Sequence, residues 1–246
     1  MRSSPLVPEN TIQEKVFQAT TKSLLVSLAC SWTPLAKILS RMFPYPENAV
    51  NMVRPWEQEY AAGGWDWLNS ITEMPHNYVI AGYVSRLKPG GTILDVGCGK
   101  GVLHSILRGQ GYKRYTGIDP APSAIQAAMP FSDGHTQFVV ADARTFETDE
   151  RFDVIILNEV LYYFADPLAV IRHLERFLVD DGIFIVSMAD ASIRDALAKR
   201  QIWSHIQREY APREQISLFH NAGLPRKIAV FCRPSEPRTS PSVIRA

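Results

Sequence analysis

From residue 77 onward, short apolar runs alternate along the chain with segments of helical periodicity. The clearest runs are "TILDV", "RYTGID", "TQFVV", "FDVIILN" and "GIFIVSM". Such a run is long enough for a buried strand, and a helix between two of them makes a βαβ unit. The alternation therefore predicts an α/β fold with a doubly wound, mostly parallel sheet and helices on both faces.

The 246 residues divide into three predicted parts. Residues 1–54 carry apolar side chains at spacings of three and four, which predicts an N-terminal helical appendage. Residues 55–233 hold the alternating pattern and form the main domain. Residues 234–246 are rich in proline and serine, which predicts a flexible tail. The appendage could pack on the domain or join two copies in a homodimer.

The end of the sheet is less regular than its beginning. "PREQISLFHNAG" is predicted to be a helix, and "KIAVFCR" is then the one convincing strand after residue 211. A further strand could come from "IWSHI", from "SVIRA", or be missing.

The composition limits the classes of molecule that this chain is expected to bind. Lys and Arg number 26 against 25 Asp and Glu, so the basic excess of a dedicated nucleic-acid binder is missing and no such partner is expected. Three widely spaced cysteines lack metal-ligand spacing, which predicts free thiols, no bound metal and a cytoplasmic location. The apolar residues 24–39 include Pro34 and Lys37, so no transmembrane span is predicted.

A glycine-rich stretch, "ILDVGCGKG", begins within the first predicted strand and continues beyond its end. Its glycines, Gly97, Gly99 and Gly101, come where that strand ends. Ligands bind at the carboxyl ends of strands in an open parallel sheet, and glycine lets a ligand approach the backbone closely. The spacing differs from the dinucleotide pattern GxGxxG, and no Gly-Lys-Ser/Thr of a phosphate loop follows. The stretch therefore predicts a ligand loop of another type.

"LDVGCGKG" resembles the first motif of the class I methyltransferases that use S-adenosylmethionine, which have a Rossmann-like sheet. The resemblance implies that Asp95, Gly97 and Gly99, with Cys98 through its backbone, line the methionine and ribose part of S-adenosylmethionine. The product would be S-adenosylhomocysteine.

Further matches to this family follow in order along the chain. "YTGIDPAPSAI" places Asp119 and Pro120 at the end of the second strand, where an acid can accept both ribose hydroxyls. "FVVADARTF" places Asp142 where the family's acid accepts from the adenine amino group, with the backbone N–H of Ala143 beside it. "FDVIILNEVLYYF" resembles the fourth motif, most closely in nodulation-type N-methyltransferases, and places Asn158 by the cofactor.

Three places in the sequence offer groups for the methyl acceptor. After the fourth strand, Glu159 could orient or deprotonate an amine or hydroxyl, and Tyr162 could wall the site. Ahead of the sheet lies an aromatic segment that, by the resemblance, covers the cofactor, and Tyr60 is its candidate contact. In the segment after the fifth strand, His205 is a candidate general base.

The predicted function is methyl transfer to an oxygen or nitrogen of a small-molecule acceptor, and a glycan or lipid-linked acceptor is also open. Two other classes remain at this point. A NAD-dependent oxidoreductase would use Asp119 but would leave Asp95 and Asp142 unexplained. A cofactor-binding homologue could instead have a regulatory or non-transfer role, because a fold does not determine function.

Overall fold

The computed structural model describes residues 53–189, 193–210, 212–219 and 225–233. The strands in these ranges are β1 Thr92–Val96, β2 Arg114–Asp119, β3 Thr136–Val140, β4 Phe152–Asn158, β5 Leu178–Ala189, β6 Pro212–Leu218 and β7 Arg226–Cys232. The α-helices are α1 Val53–Ala61, α2 Met74–Leu87, α3 Val102–Leu107, α4 Pro122–Ala128, α5 Pro167–Glu175 and α6 Ile193–Glu209.

The two ends of the chain fall outside this description. The predicted helical appendage at residues 1–54, apart from its last two residues, lies outside the described residues, as does the predicted tail at residues 234–246. The predicted homodimer contact through the appendage therefore stays a prediction. Among the described residues, no helix is both long enough and apolar enough to cross a membrane.

The strands form one seven-stranded sheet in the order β3-β2-β1-β4-β5-β7-β6. Neighbours from β3 to β5 pair in parallel, whereas β7 is antiparallel to both β5 and β6. The predicted doubly wound, mostly parallel sheet is confirmed. Strand order reverses between β1 and β4, the point at which open α/β sheets bind ligands.

The last hairpin corrects the sequence prediction at "PREQISLFHNAG". This stretch was predicted to be a helix, but Pro212–Leu218 forms edge strand β6. Ile216 and Leu218 alternate with polar residues and pack against the core, while Ile216 pairs with Ile228 of β7. An edge strand exposes most of its residues, so its polar composition resembled that of a surface helix. "IWSHI", the other described candidate, lies in α6.

Side chains of the central strands point alternately to two apolar layers. Val154 and Ile156 of β4 belong to the layer that includes residues of α2, α3 and α4. Ile155 and Leu157 belong to the layer that includes residues of α5 and α6. Because both faces are covered, these strands are nearly continuous apolar runs, which is why they were recognisable in the sequence.

Candidate functional site

A cavity of about 600 Å³ lies at the carboxyl ends of β1 to β4. Its volume is typical of small-molecule sites. The structure brings all the predicted cofactor contacts to its lining: Tyr60, Asp95, Gly97, Cys98, Gly99, Asp119, Pro120, Asp142, Ala143 and Asn158. The predicted acceptor residues Glu159 and Tyr162 line it as well.

The glycine loop after β1 needs backbone angles that other residues rarely adopt. Gly97 and Gly99 have φ of 73° and 53°, in the left-handed region. A Cβ atom on Gly97 would lie 2.9 Å from Cγ2 of Val160. The loop is tied to β2, because the N–H groups of Gly97 and Cys98 donate to the carbonyl of Ile118 at 2.8 and 3.0 Å.

Asp119 links the glycine loop to the end of β2. One carboxylate oxygen accepts from the N–H of Gly99 at 3.1 Å, and the other accepts from the N–H of Ala121 at 2.9 Å. Burial raises the pKa of Asp119 to about 6, although the two backbone hydrogen bonds act in the opposite direction. An ionised carboxylate has about four acceptor positions, so Asp119 retains two for a ligand's hydroxyl groups.

Asp95 and Cys98 are the buried groups beneath the loop. Asp95 is 2% exposed and accepts from the hydroxyl of Tyr115 at 2.6 Å. Burial raises the pKa of Asp95 to about 7, and the nearby carboxylate of Asp119 adds to the rise. Burial also raises the pKa of the Cys98 thiol, so this cysteine is a packed thiol rather than a reactive thiolate.

At the end of β3, Asp142 is engaged by its own neighbour. Nε of Arg144 lies 3.0 Å from each carboxylate oxygen, and the backbone N–H of Arg144 donates to Oδ1 at 2.9 Å. The hydrogen bonds from Arg144 hold the pKa of Asp142 below its usual range, so it is an ionised acceptor. An adenine amino group placed here would share this carboxylate with Arg144.

Residues 53–70, termed the lid segment here, contact the glycine loop through Tyr60 and Asp66. Tyr60 is central to this contact, because a Cβ atom on Gly99 would lie 2.8 Å from the Tyr60 hydroxyl oxygen. Burial, reinforced by the Asp119 carboxylate, raises the pKa of Tyr60, so its hydroxyl stays protonated. Lys100 of the loop forms a 2.6 Å ion pair with Asp66 of the lid segment.

The lid segment also carries a hydrogen-bond donor without an acceptor. Nε1 of Trp65 is buried and has no hydrogen-bond partner within the described parts of the chain. Trp65 lines the cavity, with its ring 5.8 Å from that of Tyr60. Buried donors are nearly always paired, so this N–H is a candidate contact for a bound ligand.

Glu159 lies directly after β4 with φ of 58°, an unusual angle for a residue other than glycine. One carboxylate oxygen accepts from Ser187 Oγ at 3.0 Å and lies 3.0 Å from Arg226 Nε in an ion pair. The other accepts from the N–H of Ala189 at 2.8 Å and from the hydroxyl of Tyr162 at 3.2 Å. Ser187 has a single hydroxyl hydrogen, which Glu159 shares with Asn158. The contacts with Arg226, Ala189 and Tyr162 engage both carboxylate oxygens of Glu159.

Contacts with Glu159 and Lys199 hold the side chain of Tyr162 in place. Its hydroxyl donates to Glu159, and Nζ of Lys199 lies 4.0 Å from the centre of its ring. Burial raises the pKa of Tyr162, with a further contribution from Glu159. The tyrosine therefore keeps its proton and forms a wall of the cavity rather than a base.

Asn158 connects β4 to helix α2. Its Nδ2 donates to Oδ1 of Asn77 at 3.0 Å, and its Oδ1 accepts from Ser187 Oγ at 2.6 Å. The side chain was predicted as a cofactor contact. It lines the cavity, but its bonds are to the protein, so its structural role in holding α2 beside the sheet is evident.

A group of site residues centred on Arg226 was not predicted from the sequence. Nη2 of Arg226 lies 2.8 Å from Oε2 of Glu73, Nη1 contacts Nδ1 of His76, and Nε pairs with Glu159. All four side chains line the cavity. Glu73 and His76 are about 150 positions from Arg226, so no local pattern could reveal the group. Lys199, also on the lining, was missed because helix α6 was not predicted.

The structure does not bring His205 to this cavity. His205 lies on an exposed face of α6, and it is not among the residues that line the cavity. A general base must be within hydrogen-bond reach of its substrate, directly or through one water. His205 does not meet this condition in the structure.

Comparison with known proteins gives a consistent result. A family model described as a methyltransferase domain matches residues 73–226, more than half of the chain. Nodulation protein S of Sinorhizobium fredii is 32% identical over 145 residues, which cover 57% of this chain and 62% of that protein. A ubiquinone biosynthesis O-methyltransferase of Methylobacterium is 32% identical over 109 residues, covering 43% of each chain. The chain thus spans about half the length of these curated relatives.

Solved structures share the fold at lower identity. The N-methyltransferase NodS from Bradyrhizobium japonicum, in complex with S-adenosyl-l-homocysteine, aligns with a TM-score of 0.63 and 23% identity, over 75% of this chain and 100% of that one. The 1,6-didemethyltoxoflavin-N1-methyltransferase from Burkholderia thailandensis aligns with a TM-score of 0.61 and 17% identity, over 77% and 90%.

Proposed function

The chain belongs to the class I S-adenosylmethionine-dependent methyltransferases, and from that premise we propose that it transfers a methyl group to an oxygen or nitrogen of a small molecule. One observation carries the proposal. The glycine loop and the acids at the ends of three successive strands, Asp95, Asp119 and Asp142, line one cavity.

The residues of the cavity fit S-adenosylmethionine. Asp119 has acceptor positions left for two ribose hydroxyls, and the ionised Asp142 suits an amino group of adenine. Tyr60 lines the cavity beside Gly99, and an aromatic ring there suits a cationic sulfur. When bound, S-adenosylmethionine supplies a methyl group on a positively charged sulfur that a nucleophile can displace directly.

The protein's own residues contribute position rather than covalent chemistry. Tyr60 of the lid segment lies against the glycine loop, and Tyr162, held by Glu159, forms a wall near the end of β4. Holding two reactants in line lowers the barrier by removing the entropy cost of their encounter. Relatives by sequence and by fold include O- and N-methyltransferases, so both acceptor atoms stay in the proposal.

The topology disfavours the oxidoreductase alternative. The dinucleotide-binding sheet has the order 3-2-1-4-5-6. Here the antiparallel β7 lies between β5 and β6. The loop spacing Gly97-Gly99-Gly101 also differs from GxGxxG.

A transfer assay tests the proposal. The purified chain is incubated with S-adenosylmethionine labelled in its methyl group and with acceptors of four kinds: a catechol, a malonyl thioester, an amino sugar and a glycan- or lipid-linked amine. Label should move to one class of acceptor, and boiled protein should transfer none. Tight cofactor binding without transfer to any member would favour the non-transfer homologue. Transfer only to a glycan- or lipid-linked amine would identify the larger acceptor class.

A further inference from the structure

The contact between Arg226 and His76 determines which nitrogen of the imidazole carries the proton. A guanidinium group has only donors and stays charged, so Nδ1 of His76 must be the acceptor in this contact. Burial lowers the pKa of His76 to about 3, and the charge of Arg226 lowers it further, so the ring is neutral. A neutral imidazole with a bare Nδ1 carries its proton on Nε2.

His76 is one of the residues that line the cavity. It is 3% exposed. Among the residues that the structure describes, no hydrogen bond from Nε2 is seen, whereas Nδ1 contacts Arg226. A buried donor without a protein acceptor usually binds a ligand or an ordered water.

The position of this donor matches the acceptor end of the cavity. Arg226 joins His76 to Glu159, the residue directly after β4, whereas Asp119 and Asp142 lie at the ends of β2 and β3. Asn77, the residue after His76, is bonded to Asn158 at the end of β4. His76 is thus anchored on the side of the cavity where the sequence predicted the methyl acceptor.

Given the proposed function, we propose that His76 contacts the methyl acceptor and donates its Nε2–H hydrogen bond to an oxygen of that molecule. Arg226 is the positioning residue, because it holds the tautomer that makes His76 a donor. An imidazole held in this way does not take a proton at Nε2, so His76 orients the acceptor and is not its base. The acceptor therefore carries a hydroxyl, carbonyl or carboxylate oxygen close to the atom that is methylated.

The first test is the tautomer, which can be read by nitrogen NMR on the full chain labelled at histidine. His76 should show a protonated Nε2 and a bare Nδ1 from about pH 5 to pH 8, the range in which an ordinary histidine titrates. In Arg226→Met, Nδ1 loses its donor and is left 4.0 Å from Oε2 of Glu73, so a proton on Nδ1 should appear. A protonated Nδ1 in the wild-type chain would overturn the proposal.

The second test is binding of a defined probe, 3,4-dihydroxybenzoate, to the chain saturated with S-adenosylhomocysteine. This probe offers both hydroxyl and carboxylate oxygens. His76→Phe should weaken probe binding about tenfold, the effect of losing one hydrogen bond. His76→Gln keeps an N–H donor and should recover most of the affinity. His205→Phe, an equivalent change on the exposed face of α6, should leave the affinity unchanged.

The outcomes separate this proposal from the proposed function. Equal probe affinity in His76→Phe and wild type, or no probe binding by the wild-type chain, would contradict the role of His76. Loss of S-adenosylhomocysteine affinity in His76→Phe would also contradict it, since the donor would then bind the cofactor. Failure of the wild-type chain to bind S-adenosylhomocysteine would instead contradict the proposed function.

Discussion

Asp119 shows how one side chain can be both part of the fold and part of the site. It holds the N–H groups of Gly99 and Ala121, and it keeps two acceptor positions open to the cavity. Its pKa, raised by burial to about 6, brings its titration close to neutral pH. Ligand hydroxyls donate to the ionised form, so ligand binding favours deprotonation.

The affinity for S-adenosylhomocysteine should therefore depend on pH through Asp119. Above about pH 6 the carboxylate of Asp119 is mostly ionised and contributes no further change in affinity. Below it, binding must displace a proton, and the affinity falls by up to about tenfold per pH unit. Calorimetric titration at a series of pH values measures this change in affinity.

Asp119→Asn is the matched variant for this prediction. It should weaken binding at pH 8 by about 1–3 kcal/mol, because an amide offers fewer acceptor positions to buried hydroxyls. The difference in pH dependence between wild type and variant is the contribution of Asp119. Asp149→Asn, an exposed acid, serves as the control. Identical pH profiles in wild type and Asp119→Asn would contradict the ribose assignment.

We predict that Glu159 stabilises the structure of the site and does not act as a general base. Glu159→Gln places an amide NH₂ against donors such as the N–H of Ala189 and the hydroxyl of Tyr162. The free energy of unfolding should fall by about 1–3 kcal/mol, with S-adenosylhomocysteine affinity nearly unchanged and transfer slower. Denaturant unfolding measures the free energy of unfolding, calorimetry measures the affinity, and the transfer assay measures the rate.

The control for Glu159 is Glu147→Gln, which removes an exposed ion pair with Arg176 and should leave the melting temperature unchanged. A Glu159→Gln protein as stable as wild type, but without transfer, would restore the base role that the sequence suggested.

At the scale of elements, the sequence predicted strands β1 to β5 and β7 but missed edge strand β6 and helix α6. The parallel strands β1 to β5 are rich in apolar and β-branched residues, so their pattern identified them. Strand β6 has charged and polar residues at most positions and forms because β7 offers it an open edge. The pairing with β7 depends on the tertiary structure, which a local sequence pattern does not contain.

The lid segment and the glycine loop make the second element-scale feature. Gly99→Ala adds a Cβ atom 2.8 Å from the Tyr60 hydroxyl oxygen, at a φ of 53°. The left-handed angle alone costs about 1 kcal/mol, and the contact pushes the lid segment away from the loop. Affinity for S-adenosylhomocysteine should fall about tenfold or more.

Gly134→Ala is the matched control, because a Cβ atom there meets nothing within 4 Å. Thermal unfolding in the absence of ligand separates the backbone strain from the loss of binding. Full affinity in Gly99→Ala would show that the lid segment does not need to lie against the loop.

At the scale of the whole molecule, the cavity gathers residues from nearly the full described length. The acids at strand ends could be predicted, because parallel strands bring their carboxyl ends to one edge. The group of Glu73, His76 and Arg226 could not, because the antiparallel β7 brings Arg226 beside α2. The boundaries predicted at residues 54 and 233 and the homodimer contact stay predictions.

The central claim is that this cavity binds S-adenosylmethionine. Calorimetric titration of the purified chain with S-adenosylmethionine, S-adenosylhomocysteine and NADH tests it most directly. The account predicts micromolar binding of the first two, as is usual for enzyme ligands, and none of NADH. Binding of NADH, or of none of the three, would contradict the assignment of the glycine loop and of the acids beside it.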